Sequence, residues 1–346
     1  LRGMFAIALW DGRTRTLIAV RDRAGEKPLY YAHTPKGLVL ASELKALLTR
    51  PDVPRELDPE ALDQFLTYEY VISPRTILKG VRRLPAAHYL RYRDGELTVH
   101  RYWDAASVPV KDWTDADAVE ALRAALARAV DSQMMSDVPL GVFLSGGIDS
   151  TAIVTFMAEA AARRGVSVNT FSMGFDDGSY NELPYAREVA KAFGTNHREG
   201  LVTPDVASLF DQLVVHMDEP FGDVSMFPTF MVSRLARQHV TVALAGDGGD
   251  ELFGGYDAYE AQALAARLSR VVPRGAMRAL DALTSLLPPA EQKKGLVNKI
   301  KRFSAAGQLE LIIGKAGGSF NGPVTDDGFA FPSAVAVDQG GRILIT

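Results

Sequence analysis

Cysteine is wholly absent from the 346 residues. Its absence excludes disulfides, thiolate metal sites and a cysteine nucleophile, and fits a reducing, cytoplasmic setting. Long apolar runs are missing too. No stretch approaches the ~18 residues of a membrane-spanning helix, so no membrane partner is expected. The apolar opening from Leu1 to Trp10 is brief, lacks a charged lead and a small-residue cleavage site, and does not read as a signal peptide. Neither sign of charge dominates: 38 Lys and Arg stand against 42 Asp and Glu, net −4, scattered along the chain. No basic footprint for nucleic acid or an anionic membrane surface results. The histidines (His33, His88, His100, His197, His216, His239) lie too far apart for a zinc motif or a Ser-His-Asp arrangement to be argued from spacing.

What is present suits a packed protein of two domains, with 47% hydrophobic and 23% charged residues. Residues 4–9 and 16–20 read as strands around a turn at Asp11-Gly12. Short strands follow at Pro28–Tyr31, Leu38–Leu40 and Tyr89–Tyr92, the last before Asp94-Gly95, with a helix at Pro59–Tyr68. Residues 1–104 thus form an antiparallel β-rich unit. From Asp115 the pattern alternates: helix Asp115–Ser132, strand Val138–Leu144, helix Thr151–Arg163, strand Val166–Phe175, helix Leu183–Phe193, strand His197–Val202, helix Phe227–Gln238, strand Val240–Ala245. Alternation implies α/β architecture with a parallel sheet, and Val240–Ala245 is apolar enough for burial on both faces. Residues 309–346 turn Gly-rich and strand-like, resembling one element of a β-propeller repeat with no second copy.

Two loops carry the chemistry. The first strand of the parallel set runs into Ser145-Gly146-Gly147-Ile148-Asp149-Ser150, and a helix follows. Gly146 and Gly147 permit a tight turn and close approach to an anion. Their N–H groups, with those of Ser150 and Thr151, can form an anion cradle at the positive end of a helix. Ser145 and Ser150 add hydroxyls, and Asp149 adds a carboxylate suited to Mg²⁺ rather than to phosphate. The Lys of a Walker A loop is absent. The second loop, Gly246-Asp247-Gly248-Gly249-Asp250-Glu251-Leu252-Phe253-Gly254-Gly255-Tyr256, follows Val240–Ala245 and reads as irregular backbone that approaches a ligand and holds a metal. Both sit at carboxyl ends of parallel strands, where open α/β sheets bind ligands.

The SGGIDS loop resembles that of the ATP pyrophosphatases, which cut ATP at the α-phosphorus. Together with Met135-Ser136-Asp137-Val138-Pro139-Leu140-Gly141 and GDGGDELFGGY, it resembles class B, glutamine-hydrolysing asparagine synthetase. Gly3-Met4-Phe5-Ala6, Arg21-Asp22-Arg23, Lys27-Pro28-Leu29-Tyr30-Tyr31 and Ala41 to Leu48 resemble that family's N-terminal Ntn-type glutaminase domain. The resemblance implies a partial glutaminase (glutamine amidotransferase type 2) domain at 1–104, an ATP pyrophosphatase domain at 105–308 and an unmatched tail at 309–346. It implies ATP and Mg²⁺ as cofactors, with aspartate and ammonia or glutamine as partners. The ATP contacts would be Leu144, Ser145, Gly146, Gly147, Asp149, Ser150, Ser172, Met173, Gly174, Gly246, Asp247 and Gly248. Asp149 and Asp250 would ligate the metal, and Asp247 stands where the family has a catalytic acid beside aspartate. Asp223 and Ser225, within Asp218–Ser225, would face the acceptor. His197 falls where the family often has a histidine beside the nucleotide, though packing explains it equally well.

Two departures qualify the resemblance. The family's nucleophilic cysteine and glutamine-binding residues precede the point matched by Leu1, so truncation at that end, and ammonia as the usable nitrogen source, are expected. The family's synthetase domain also continues past Gln308 with a catalytic lysine, whereas Lys293, Lys294, Lys299 and Lys301 read as solvated helix charges. Another amide ligase on this scaffold and an inactive nucleotide-binding fragment are the rival readings, and a homodimer is left open.

Overall fold

The computed structural model describes residues 1–175, 181–202, 206–256, 258–259 and 262–263. Hairpins build the first part. β1 (Ala6–Asp11) pairs antiparallel with β2 (Thr16–Arg21), although the turn is wider than Asp11-Gly12 alone. Asp11 closes it by accepting the Arg13 N–H at 2.9 Å and the Thr14 hydroxyl at 2.8 Å. β3 (Tyr30–Thr34) and β4 (Gly37–Ala41) form a second hairpin, followed by α1 (Leu44–Leu47) and α2 (Pro59–Tyr68). α2 begins where local chemistry dictates: Asp58 accepts the Glu60 N–H at 3.0 Å, and Pro59 occupies the first turn. β5 (Val81–Arg83), unforeseen because three residues carry no periodicity, joins β3 across a long separation. Between β6 (His88–Arg93) and β7 (Glu96–Arg101), Asp94 and Gly95 have φ of 50° and 85°, the double positive of a tight hairpin turn. The sheets run β1-β2-β6-β7 and β4-β3-β5.

The second part alternates as expected. α3 (Asp115–Gln133) leads to β8 (Leu140–Phe143), α4 (Ile148–Arg164), β9 (Asn169–Phe175), α5 (Leu183–Phe193) and β10 (Asn196–Val202). Then come α6 (Val206–Met217), α7 (Met226–Arg237), β11 (Val242–Leu244) and α8 (Gly249–Phe253). The strands are parallel and ordered β10-β9-β8-β11. Leu126, Val130, Val142, Leu144, Val154 and Met157 pack α3 and α4 on one face. Phe171 meets Ala236 and Val240 of the α7 side on the other. The chain steps outward from β8 to β10 and then returns to the far side of β8, so strand order reverses between β8 and β11. Open α/β sheets bind ligands at the carboxyl ends of strands beside such a reversal.

Three expectations need correction. α4 starts at Ile148 rather than Thr151, with Gly147 as its N-cap, so Asp149 and Ser150 lie in its first turn. An acid there is favoured by the helix dipole. The strand before the second loop pairs only over Val242–Leu244, and Val242 is 41% exposed because β11 is the edge strand among the described residues. The second loop is not irregular throughout: Gly248, at φ 86°, opens α8 with Asp250 and Glu251 in its first turn. The strand-like tail and Lys293, Lys294, Lys299 and Lys301 lie outside the described residues.

Candidate active site

The corner between β8 and α4 is held by its own serines. Ser145 N–H donates to Ser150 Oγ at 3.2 Å, the two hydroxyls lie 2.9 Å apart, and Gly147 N–H donates to Ser145 Oγ at 3.1 Å. Gly146 takes φ 84° with its α-carbon against α5, where a Cβ would stand 2.7 Å from Ala186 N. Thr151 N–H, expected in the cradle, instead donates to Gly147 O at 3.0 Å. The N–H groups of Ile148, Asp149 and Ser150 precede the first intrahelical bond and are left as donors at this helix end.

The second loop lies directly on the first. A Cβ at Gly246 would stand 2.8 Å from Ser150 N, and one at Gly249 would stand 2.6 Å from Asp149 Oδ2. Only glycine allows backbone so close, and the result brings Asp149, Asp250 and Glu251 together. Asp149 is pushed above the ordinary carboxylate range by burial and then by the charges of Asp250 and Glu251. Asp247 reaches solvent from a recess crowded by protein, and burial raises its carboxyl as well. Glu251, not singled out from sequence, accepts from the Tyr256 hydroxyl at 2.8 Å. Its position directly after Asp250 was the available signal.

Among the described residues no Lys or Arg pairs with Asp149 or Asp250, so negative charge gathers without protein counter-charge. A divalent cation fits that donor set. Among the described residues no group of three or more metal-binding side chains is present.

The end of β9 is more committed than expected. Ser172 is 3% exposed and its hydroxyl donates to Leu144 O, tying β9 to β8. Leu144 itself is in the core and its N–H donates to Phe171 O at 2.9 Å. Gly174 sits against Leu183, and Met173 against Gly200. His197 belongs to a packed network: Nδ1 lies 2.9 Å from Thr170 Oγ1 and Nε2 lies 3.1 Å from Glu199, which Arg187 grips at 2.8 and 2.7 Å. Burial holds this imidazole below its ordinary value, against the pull of Glu199.

No hydrogen bond or ion pair among the described residues ties Asp223 or Ser225 to either loop; Asp223 Oδ1 accepts the Ser225 N–H at 2.8 Å. Topology nevertheless lifts them to the same edge. α7 descends into β11, and its Leu235 packs against Gly200, level with Met173. Met226 therefore stands roughly 13 Å further toward the carboxyl edge, at 1.5 Å per residue.

The profile of the asparagine synthase family matches residues 121–316, and that of the glutamine amidotransferase domain matches 1–103. A putative glutamine-hydrolysing asparagine synthetase of Mycobacterium tuberculosis is 38% identical over 308 residues, covering 86% of this chain and 46% of the relative. Asparagine synthetase [glutamine-hydrolyzing] 1 of Bacillus subtilis is 35% identical over 302 residues with the same coverage, 86% and 46%. The amidase chyE of Penicillium rubens is 34% identical, over 76% of this chain and 41% of its own length. The chain spans about half the length of the curated relatives it matches. With one profile across most of its parallel-sheet part and sequence similarity running back through the hairpins, the chain belongs to the asparagine synthase family.

Proposed function

We propose that the chain carries the carboxylate-activating site of an ATP-dependent amide ligase, acting on aspartate to give asparagine in a cytoplasmic setting. The observation that carries this reading is the meeting of the SGGIDS and GDGGDE loops at the strand reversal, with Asp149 and Asp250 drawn together and no Lys or Arg paired with either among the described residues. A triphosphate would lie along the open N–H groups at the start of α4, with Asp149 and Asp250 holding Mg²⁺. The metal, when bound, supplies positive charge that offsets the triphosphate. Residues 172–174 would border the adenosine through backbone. Asp223 and Ser225 would orient the acceptor from above, and Asp247 would stand beside it. The aspartate side-chain carboxylate attacks the α-phosphorus, pyrophosphate leaves, and ammonia displaces AMP from the acyl-adenylate. Positioning two anions in line is the main task, and fixed dipoles perform it without reorganising. Residues 1–104 would form a glutaminase domain and 105–308 the synthetase domain, with glutamine or ammonia as the nitrogen source.

Incubation with ATP, Mg²⁺, aspartate and ammonium is expected to yield aspartate-dependent AMP and pyrophosphate in equal amounts. ADP in place of AMP would overturn the adenylation reading. The 34% identity to an amidase favours a second reading, a different carboxylate acceptor on the same chemistry. AMP release driven by another carboxylate and not by aspartate would select it. Mg²⁺-dependent ATP binding with no turnover on any acceptor would mark an inactive nucleotide-binding fragment.

A further inference from the structure

Two consecutive carboxylates just before α7 turn away from the catalytic edge and into the N-terminal part. Glu219, its side chain 6% exposed, accepts from the Arg83 guanidinium, from the Tyr30 hydroxyl at 3.3 Å and from the Ile77 N–H at 2.9 Å. Asp218, at φ 67° and 9% exposed, accepts the Leu44 and Lys45 N–H groups that open α1, the second at 3.0 Å. Gly222 N–H then donates to Glu69 O at 2.7 Å, and a Cβ on Gly222 would stand 2.7 Å from Glu69 Cβ. Every one of these partners lies within residues 30–83, on β3, β5, the start of α1, the end of α2 and the segment leading into β5. The next residues are Asp223 and Ser225.

We infer that residues 30–83 position the acceptor segment of the synthetase part, with Glu219 and Arg83 as positioning residues. This rests on the acceptor role given above to Asp223 and Ser225. Arg83 lies over the Tyr30 ring, 5.4 Å from its centroid, which fixes the guanidinium plane toward Glu219. The stretch 218–222 is pinned at a strained left-handed residue, by two buried carboxylates and by a glycine contact. The three residues that follow have little freedom before α7 begins. The hairpin part thereby has a task beyond its own fold, shaping the partner site from behind.

The test compares the full chain with Glu219→Gln and Arg83→Lys, both close in shape. Hydrogen–deuterium exchange is expected to speed at least tenfold over 218–226 in Glu219→Gln and to stay unchanged over 145–151. KM for aspartate is expected to rise about tenfold while the Kd for ATP, read by titration without acceptor, holds; Arg83→Lys should fall between. Equal changes in aspartate KM and ATP Kd, or unchanged exchange at 218–226, would overturn the inference. If the parent chain shows no aspartate-dependent turnover, the acceptor assignment fails by itself, and the exchange experiment still decides whether residues 30–83 hold this segment.

Discussion

The two parts of the chain treat buried charge in opposite ways. In the hairpin part the charges of Arg21 and Asp22 are saturated. Arg21 donates to Lys27 O at 2.8 Å, to Leu84 O at 2.7 Å and to Gly25 O, and Asp22 accepts the Glu26 and Lys27 N–H groups, each at 3.0 Å. In the parallel part, Asp149 and Asp250 crowd together, and among the described residues no Lys or Arg pairs with either. A saturated charge is a structural strut; a crowded, uncompensated one stores binding energy for a ligand of opposite sign.

Asp149→Asn breaks the comparison hardest. Aspartate-dependent AMP formation should fall on the order of 100-fold or more, as expected when a charge-stabilising group is lost. The melting temperature should hold or rise at neutral pH, because a carboxyl with a raised folded pKa costs stability once ionised. A large loss of stability would show that Asp149 is a strut after all. Arg21→Met is the converse. It strands three carbonyls and should cost about 3 kcal/mol in chemical denaturation, with ATP affinity retained by the folded fraction. Loss of ATP binding at full stability would reverse the assignment.

Gly246→Ala sharpens the boundary between the two loops. Its Cβ would press on Ser150 N at 2.8 Å, backbone against backbone, so the loops must separate. ATP affinity should drop about tenfold, roughly 1.4 kcal/mol, measured by titration with Mg²⁺. Wild-type affinity would mean that the contact between the loops is incidental.

What was legible in the sequence followed the range of the interaction. α2 and α5 have the limits expected, Pro59–Tyr68 and Leu183–Phe193, because caps and prolines act within one turn. The glycines of both loops were legible because backbone that must approach another group tolerates no Cβ. β5, three residues long, exists only through its pairing with β3. The exposure of β11 follows from its edge position, and the strand reversal that brings Asp149 to Asp250 follows from sheet order; neither is written in local pattern. Glu219 was read as part of an acceptor loop, since nothing within 135 residues announces that its partner is Arg83, 136 positions away.

Glu26 tests the comparison at its weakest point, as the hairpin part's own uncompensated acid. Its Oε2 is buried without a hydrogen-bond partner, and burial, followed by the charge of Asp22, pushes its carboxyl up to about 7. Below the unfolded value the group is neutral in both states, and its contribution to stability is fully present. As pH rises from there through about 7, the unfolded chain ionises freely while the folded chain resists, so that contribution is lost. Glu26→Gln should therefore match the parent near pH 4.5 and exceed it at pH 8. Solvent screening limits the gain to about 1 kcal/mol or less, a shift of a few degrees in melting temperature. A parent-minus-variant difference that stays flat across that range would show that Glu26 ionises normally, and that uncompensated acids are confined to the parallel part.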